Sequence, residues 1–261
     1  MDMFVLKLIL TPALIGSVSL AGRRWGPSVS GWLIGLPFTS GPITLFVALS
    51  HGLTFAAAGA VGTLAGAATQ AVFCVVYMWL ASIKGWRWPG ALAGSLVAFL
   101  AATAAMQGLA LSVMPVLILS VLALILGLRW WPEMAQPERS TNVVPAWDLP
   151  ARMATATLFV LVLTGAAPLL GARLTGLLAP VPVYGCVLAG FAHHQNGLPG
   201  ASSVLRGLLI GLFAFVGFYV AIAILIEPAG LLWAFVTAIV AALVIQGASG
   251  WFMHRQRRQS L

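Results

Sequence analysis

Charge is what this chain has least of. Asp, Glu, Lys and Arg make up 7% of its 261 residues, and only five residues are acidic. Hydrophobic residues are 61% and the mean hydropathy is +1.04, a balance that no water-soluble domain could carry on its surface. A soluble enzyme or binding module is therefore excluded, and the chain is expected to be an integral membrane protein. There are only two cysteines, Cys74 and Cys186, isolated in separate apolar runs, which leaves buried free thiols and no disulfide framework or thiolate metal set. No apolar run has an Asp, Glu, Lys or Arg near its centre, which argues against a carboxylate proton relay.

Catalytic motifs are missing as well. The chain has no metalloprotease helix motif, no phosphate-cradling glycine loop followed by Lys and no nucleophile elbow. His193 and His194 are adjacent, so they point in different directions on a helix, and no carboxylate or cysteine accompanies them as a metal ligand. Ser40 and Gly41 suggest an intramembrane serine nucleophile, but His51 would lie roughly 16 Å away along a continuous helix at 1.5 Å per residue. The expectation is a protein that is not an enzyme and holds no metal or cofactor.

What the chain does have is long apolar runs, too long and too unalternating for barrel strands. At about 20 apolar residues per crossing they give about nine helical spans, over roughly residues 3–21, 29–50, 55–82, 89–106, 109–128, 152–171, 174–194, 203–226 and 229–252. If nine spans alternate, eleven of the thirteen Lys and Arg residues fall on one face and only Lys7 and Arg173 on the other. The positive-inside rule then places the N-terminus outside and the C-terminus in the cytoplasm of a bacterial inner membrane. The formal charge of +8 is accordingly read as topology, with no nucleic-acid partner. Residues 1–20 lack a basic leading region and a cleavage site and are read as the first span.

The chain is also written twice. Pro37 precedes His51 by fourteen positions and Pro180 precedes His194 by fourteen; Pro89 precedes Gln107 by eighteen and Pro228 precedes Gln246 by eighteen. Gly62 and Gly66 in the third span recur as Gly207 and Gly211 in the eighth, a spacing that suits close helix contacts in both halves. Because the fifth span stands between the copies, the second unit enters the membrane inverted. The expected fold is all-α: a first four-helix repeat over 1–108, a linking transmembrane helix over 109–128, a cytoplasmic linker over 129–151 and an inverted four-helix repeat over 152–261. That linker holds Glu133, Glu138 and Asp148 among four prolines and reads as irregular, with Trp130, Trp131 and Trp147 at headgroup level.

Candidate chemistry concentrates in spans two and seven. Gly35, Pro37, Gly41 and Pro42 interrupt span two, with Thr39 and Ser40 between them, and Pro180, Pro182 and Gly185 interrupt span seven beside Tyr184. Proline removes a donor and clashes with the preceding turn, so backbone groups are freed near the bilayer midplane. In hydrocarbon those groups must meet protein, water or a ligand. Paired breaks in corresponding helices mark a transport site, the alternative being simple packing kinks. The substrate-binding set is therefore Pro37, Thr39, Ser40, Gly41, Gln70, Pro180, Tyr184 and Gly185. Gln70 serves either the substrate or a neighbouring helix. His51 and His194, at the ends of the broken helices, are gating candidates or helix-end caps. Gln107 and Gln246 are expected to satisfy backbone or interface groups, and Tyr77 to act as an interfacial anchor.

The run RRWGPSVSGWLIGLPFTSGPITLFVALSHG, followed by a long span and a shorter one, resembles the small four-helix GlpM-type inner-membrane proteins. The likeness covers residues 3–107 and, more faintly, 151–246, which implies two such units joined through span five; the family brings no catalytic residues with it. In architecture the fused inverted units are also similar to drug/metabolite transporters and their small multidrug relatives, whose membrane glutamate has no match here. The functional expectation is a transporter or lipid-linked flippase that moves a neutral or anionic small molecule by alternating access. Its partners would be the lipid bilayer, a small-molecule or lipid-linked substrate and, optionally, a second copy in a homo-oligomer. The rival is a non-transporting assembly factor or accessory subunit of an envelope polysaccharide system.

Overall fold

The computed structural model describes residues 3–38, 40–107, 112–132, 147–158, 161–162 and 182–259. Among them the protein is all-α and contains no strand. The helices are α1 (Met3–Trp25), α2 (Pro27–Ile34), α3 (Ser40–His51), α4 (Leu53–Ser82), α5 (Trp88–Gln107), α6 (Val113–Arg129), α7 (148–158) and α8 (Val183–Gln259). Three of these have stretches long and apolar enough to cross a membrane: Leu53–Ser82, Trp88–Met106 and Val183–Trp251. The last is not one rod. Gly197 (φ 65, ψ −164) and Gly230 (φ 77, ψ 170) break it with backbone angles that only glycine adopts readily, giving limbs over 183–196, 198–229 and 231–259.

The punctuation of the sequence explains the element ends. Pro27 begins α2, where its missing N–H costs nothing. α2 stops after eight residues because Pro37 cannot donate to Leu33 and disfavours helical geometry at Leu36. Its last carbonyls accept tighter three-residue turns instead: Gly35 N–H to Trp32 O at 3.3 Å and Leu36 N–H to Leu33 O at 3.1 Å. Ser40 restarts the helix, and the Gly41 N–H uses the Pro37 carbonyl at 2.9 Å. Span two is thus broken over residues 35–38, as its Gly and Pro content leads one to expect.

The helices α4 and 198–229 form the centre. In its most apolar stretch α4 is 67% buried, against 22% for α5, so α5 is peripheral. Phe73, Tyr77, Leu64, Leu205, Leu208, Leu209 and Tyr219 are fully buried between the packed helices. The limb 231–259 turns Leu232, Val236, Ile239, Val240, Leu243 and Val244 outward, an exposed apolar face suited to lipid and not to water. This is a membrane protein of multi-pass helical-bundle form.

Two expectations are corrected. The spaced glycines are not used alike: Gly207 and Gly211 press against the backbone of Ser28, Trp32 and Gly35, whereas a Cβ on Gly62 would meet nothing within 4 Å. The reciprocal glycines are Gly31 and Gly35, whose added Cβ atoms would overlap Val204 O and the Gly211 backbone. Spacing of small residues shows that close approach is permitted but not which face is used. The second correction concerns Asp148, expected in an irregular polar linker. It opens α7 and is 1% exposed.

Candidate functional site

Three hydroxyls meet beside the break in span two. The Thr44 Oγ1 donates to Ser40 O at 2.9 Å, one turn back, and lies 3.3 Å from the Tyr219 hydroxyl of the 198–229 limb. With the threonine proton committed to Ser40 O, Tyr219 is the donor to Thr44. Ser40 lies within hydrogen-bonding reach of the same phenol. The Tyr219 ring is fully buried and held by Phe215 and Phe218, at centroid distances of 4.7 and 5.2 Å. Gly41 is buried too, with space for a Cβ only as far as Phe218 Cζ at 3.4 Å. An apolar interior therefore encloses a small polar group built from both halves of the chain.

The break itself is capped from a distance. Gln246, 3% exposed in the 231–259 limb, donates Nε2 to Trp32 O at 2.9 Å, adding to the longer 3.3 Å bond from Gly35 N–H on a carbonyl at the end of the interrupted helix. The Trp32 indole returns a hydrogen bond to Ser249 Oγ at 2.9 Å, and Ser249 donates to Gln246 O at 3.0 Å. Gln246 Oε1 is buried without a hydrogen-bond partner. The expectation that Gln246 satisfies a backbone group is met, on the broken helix itself.

The remaining predicted residues are distributed as follows. Pro37 is half-buried within the break, and Gly185 is buried with Leu208 Cδ2 3.1 Å from where its Cβ would stand. Leu208 also abuts Gly31 through its backbone, so residues of both interrupted spans lie against one turn of the central limb. Tyr184 is half-buried, with its hydroxyl near Thr11 of α1. No hydrogen bond joins the Ser40 group to Tyr184 among the described residues. Gln70 is half-buried in α4 and makes no hydrogen bond to a described residue. His51, exposed at the end of α3, stacks on Phe55 at 5.1 Å; His194, also exposed, meets Trp88 edge-on at 6.3 Å. Thr39 and Pro180 lie outside the described residues, as does the side chain of Gln107.

Tyr77 is not an interfacial anchor. It is fully buried, and its hydroxyl shares a hydrogen bond of 3.0 Å with His193 Nδ1. Cys74 and Cys186 are buried free thiols that lie near enough to interact electrostatically.

The sequence gives little warning of a second polar group. Asp148 accepts hydrogen bonds from Arg23 at 2.9 Å, from Arg152 Nε at 3.0 and 3.1 Å, and from Gln195 Nε2. Gln195 Oε1 in turn accepts from Arg152 at 2.9 Å, and the Arg152 guanidinium covers the Phe191 ring at 5.1 Å. Burial alone would push the Asp148 carboxyl up, but the Arg152, Arg23 and Gln195 contacts together hold it below the usual carboxylate range. The only local signal is the i, i+4 spacing of Asp148 and Arg152.

Contacts here gather one end of the bundle. Arg23–Asp148, Tyr77–His193, Trp88–His194 and the 2.9 Å bond from Trp131 Nε1 to Ser202 Oγ bring together where α1, α4, α6 and 183–196 end and where α5, α7 and 198–229 begin. Among the described residues no group of three His, Cys, Asp or Glu side chains could hold a metal ion. No protein-family model, curated protein or solved structure matches this chain.

Proposed function

We propose that this membrane protein is a transporter or lipid-linked flippase, moving a neutral or anionic polar molecule by alternating access between two inverted halves. The observation that carries the reading is the Ser40–Thr44–Tyr219 group beside a broken helix. Ser40 and Thr44 come from the first half and Tyr219 from the second, so motion of one half against the other would open or close the group. The Ser40 hydroxyl, and the Tyr219 hydroxyl once it leaves Thr44, offer donors to a substrate oxygen, in surroundings where water does not compete. Supporting the repeat, the helix order after each interruption runs alike: α3, Gly52 at φ 89, α4, Gly85 at φ 65, α5 in one half, and 183–196, Gly197, 198–229, Gly230, 231–259 in the other; supporting its inversion, α4 ends and 198–229 begins at the same end of the bundle.

The gathering of one set of helix ends around Arg23 and Arg152 agrees with the alternation of spans that puts most basic residues on a single, cytoplasmic face of a bacterial inner membrane. The four-helix GlpM-like pattern and the likeness to drug/metabolite transporters are further proposals in the same direction.

One observation favours the rival, a non-transporting assembly factor. Gln246 already satisfies the Trp32 carbonyl, and the glycine faces at 31, 35, 207 and 211 lock α2 onto the central limb, which is what a packing kink would need. Uptake into proteoliposomes, screened over amino acids, sugars, organic anions and lipid-linked sugars, decides between them. Transport of one class that is lost in Ser40→Leu and Tyr219→Phe is expected; transport indifferent to both changes, or none across all classes, would sink the proposal.

A further inference from the structure

We infer that Arg23 and Arg152 bind a phosphate oxyanion beside Asp148, at the depth of the lipid headgroups. The charges are unequal. Two guanidiniums share one carboxylate, so these three side chains together carry one positive charge.

Donors are left over as well. Asp148 and Gln195 engage only Nε and one terminal nitrogen of Arg152 and one terminal nitrogen of Arg23, which leaves the second terminal nitrogen of each without a described partner. Those nitrogens are not sealed away: the Arg23 side chain is 33% exposed and that of Arg152 12%. Arg152 is nevertheless fixed in direction by Asp148, Gln195 and the Phe191 ring, so its fork is pre-organised. A planar fork with free N–H groups suits tetrahedral phosphate better than an ammonium would.

Depth is given by the neighbours. Trp25 and Trp147, close along the chain to Arg23 and Asp148, are 56% and 58% exposed, and exposed tryptophans collect at the headgroup level. A phosphodiester headgroup carries the single negative charge that the cluster lacks; a free phosphate offers the same oxygens. In either case the anion lies on the outer side of the two guanidiniums and Asp148 stays on the inner side.

The inference does not depend on transport and is tested without it. Full-length protein is placed in nanodiscs of phosphatidylcholine, and thermal unfolding is followed with sodium phosphate against sodium chloride at equal ionic strength. In a second arm, one third of the lipid is phosphatidylglycerol. Phosphate at about ten times its dissociation constant, or the anionic lipid, should raise the wild-type midpoint by about 3 °C. A shift with phosphate identifies a free anion as a ligand, and a shift confined to phosphatidylglycerol identifies the headgroup.

Arg152→Gln alone would leave Asp148 short of a partner, so the paired variant D148N/R152Q removes both charges together. It keeps Arg23 and with it one positive charge but loses the fixed fork, so it should keep less than half of the shift while still unfolding cooperatively, and Arg152→Lys should likewise keep less than half. Arg206→Gln, an exposed arginine outside the cluster, should keep all of it. No shift in the wild type in either arm, or an undiminished shift in D148N/R152Q, overturns the inference.

Discussion

Gln246 donates its side-chain amide to the carbonyl of Trp32 across 214 positions of sequence, at 2.9 Å, and so caps the helix that Pro37 breaks. A backbone group at a helix break in an apolar interior must find partners, and here the shorter of two bonds comes from the last limb of the chain, the other from Gly35 N–H. The cap joins the two ends of the protein at the place where the candidate site begins.

Replacing Gln246 by Leu should therefore destabilise the protein by about 0.5–1.5 kcal/mol, the net worth of one hydrogen bond, because the Gly35 N–H still reaches the Trp32 carbonyl. Trp32→Phe, which loses the bond to Ser249 and the indole contact with Gly250, should cost about 1–3 kcal/mol. Unfolding in detergent by heat or denaturant measures both, and no loss in Gln246→Leu would show that its contact is incidental.

Glycine substitutions should divide the two halves. Gly211→Ala places a Cβ against the Trp32 carbonyl and should cost about 1–3 kcal/mol, or prevent assembly, because backbone cannot move aside as a side-chain tip can. Gly62→Ala meets open space and should be neutral or slightly stabilising in the bilayer-facing wall of α4. A large loss in Gly62→Ala would mean that this surface is covered, as it would be in a homo-oligomer.

How far these features were legible depends on how local their cause is. The break over 35–38 was legible because Gly35 and Pro37 act on their own backbone. The span ends near Gly52, Gly197 and Gly230 were legible for the same reason. The Asp148 cluster was not: its carboxylate, 1% exposed, is matched with Arg23 from 125 positions away and Gln195 from 47. Composition marked residues 129–150 as polar, and that hid an acidic residue folded inward, Asp148. Tyr219 escaped notice as a lone hydroxyl in an apolar helix, whose meaning comes only from Thr44 opposite. Tyr77 looked like an anchor by its position along the helix, and only the approach of His193 from another limb makes it interior.

Acid should expose the Asp148 cluster. Its carboxyl is held low in the folded protein, so its contribution is complete above the unfolded value of about 3.9 and is lost as pH falls through the lower folded value. Between pH 7 and 5 the cluster's contribution should not change. Asp148→Asn should be less stable than wild type by about 3 kcal/mol at pH 7, since it leaves two partly buried guanidiniums without their carboxylate. The gap should shrink below about pH 4. Melting curves of both proteins over this range check the sign; a gap that widens in acid would contradict it.

The hydroxyl group should matter to movement of substrate more than to folding. Tyr219→Phe keeps the ring between Phe215 and Phe218 and removes only the donor, so stability should fall by about 1 kcal/mol. Uptake of whichever substrate class is transported should fall at least tenfold in initial rate. Full uptake in Tyr219→Phe would move the site elsewhere.

The most direct test needs no known substrate. In a protein with Cys74 and Cys186 replaced by Ala, Ser40→Cys is probed with a membrane-impermeant maleimide in right-side-out and in inverted membrane vesicles. Alternating access past the broken helix predicts labelling of position 40 from both sides of the membrane. Protection from both sides, with a control cysteine at exposed His51 labelled from one, would make the break a packing kink and contradict the transport account.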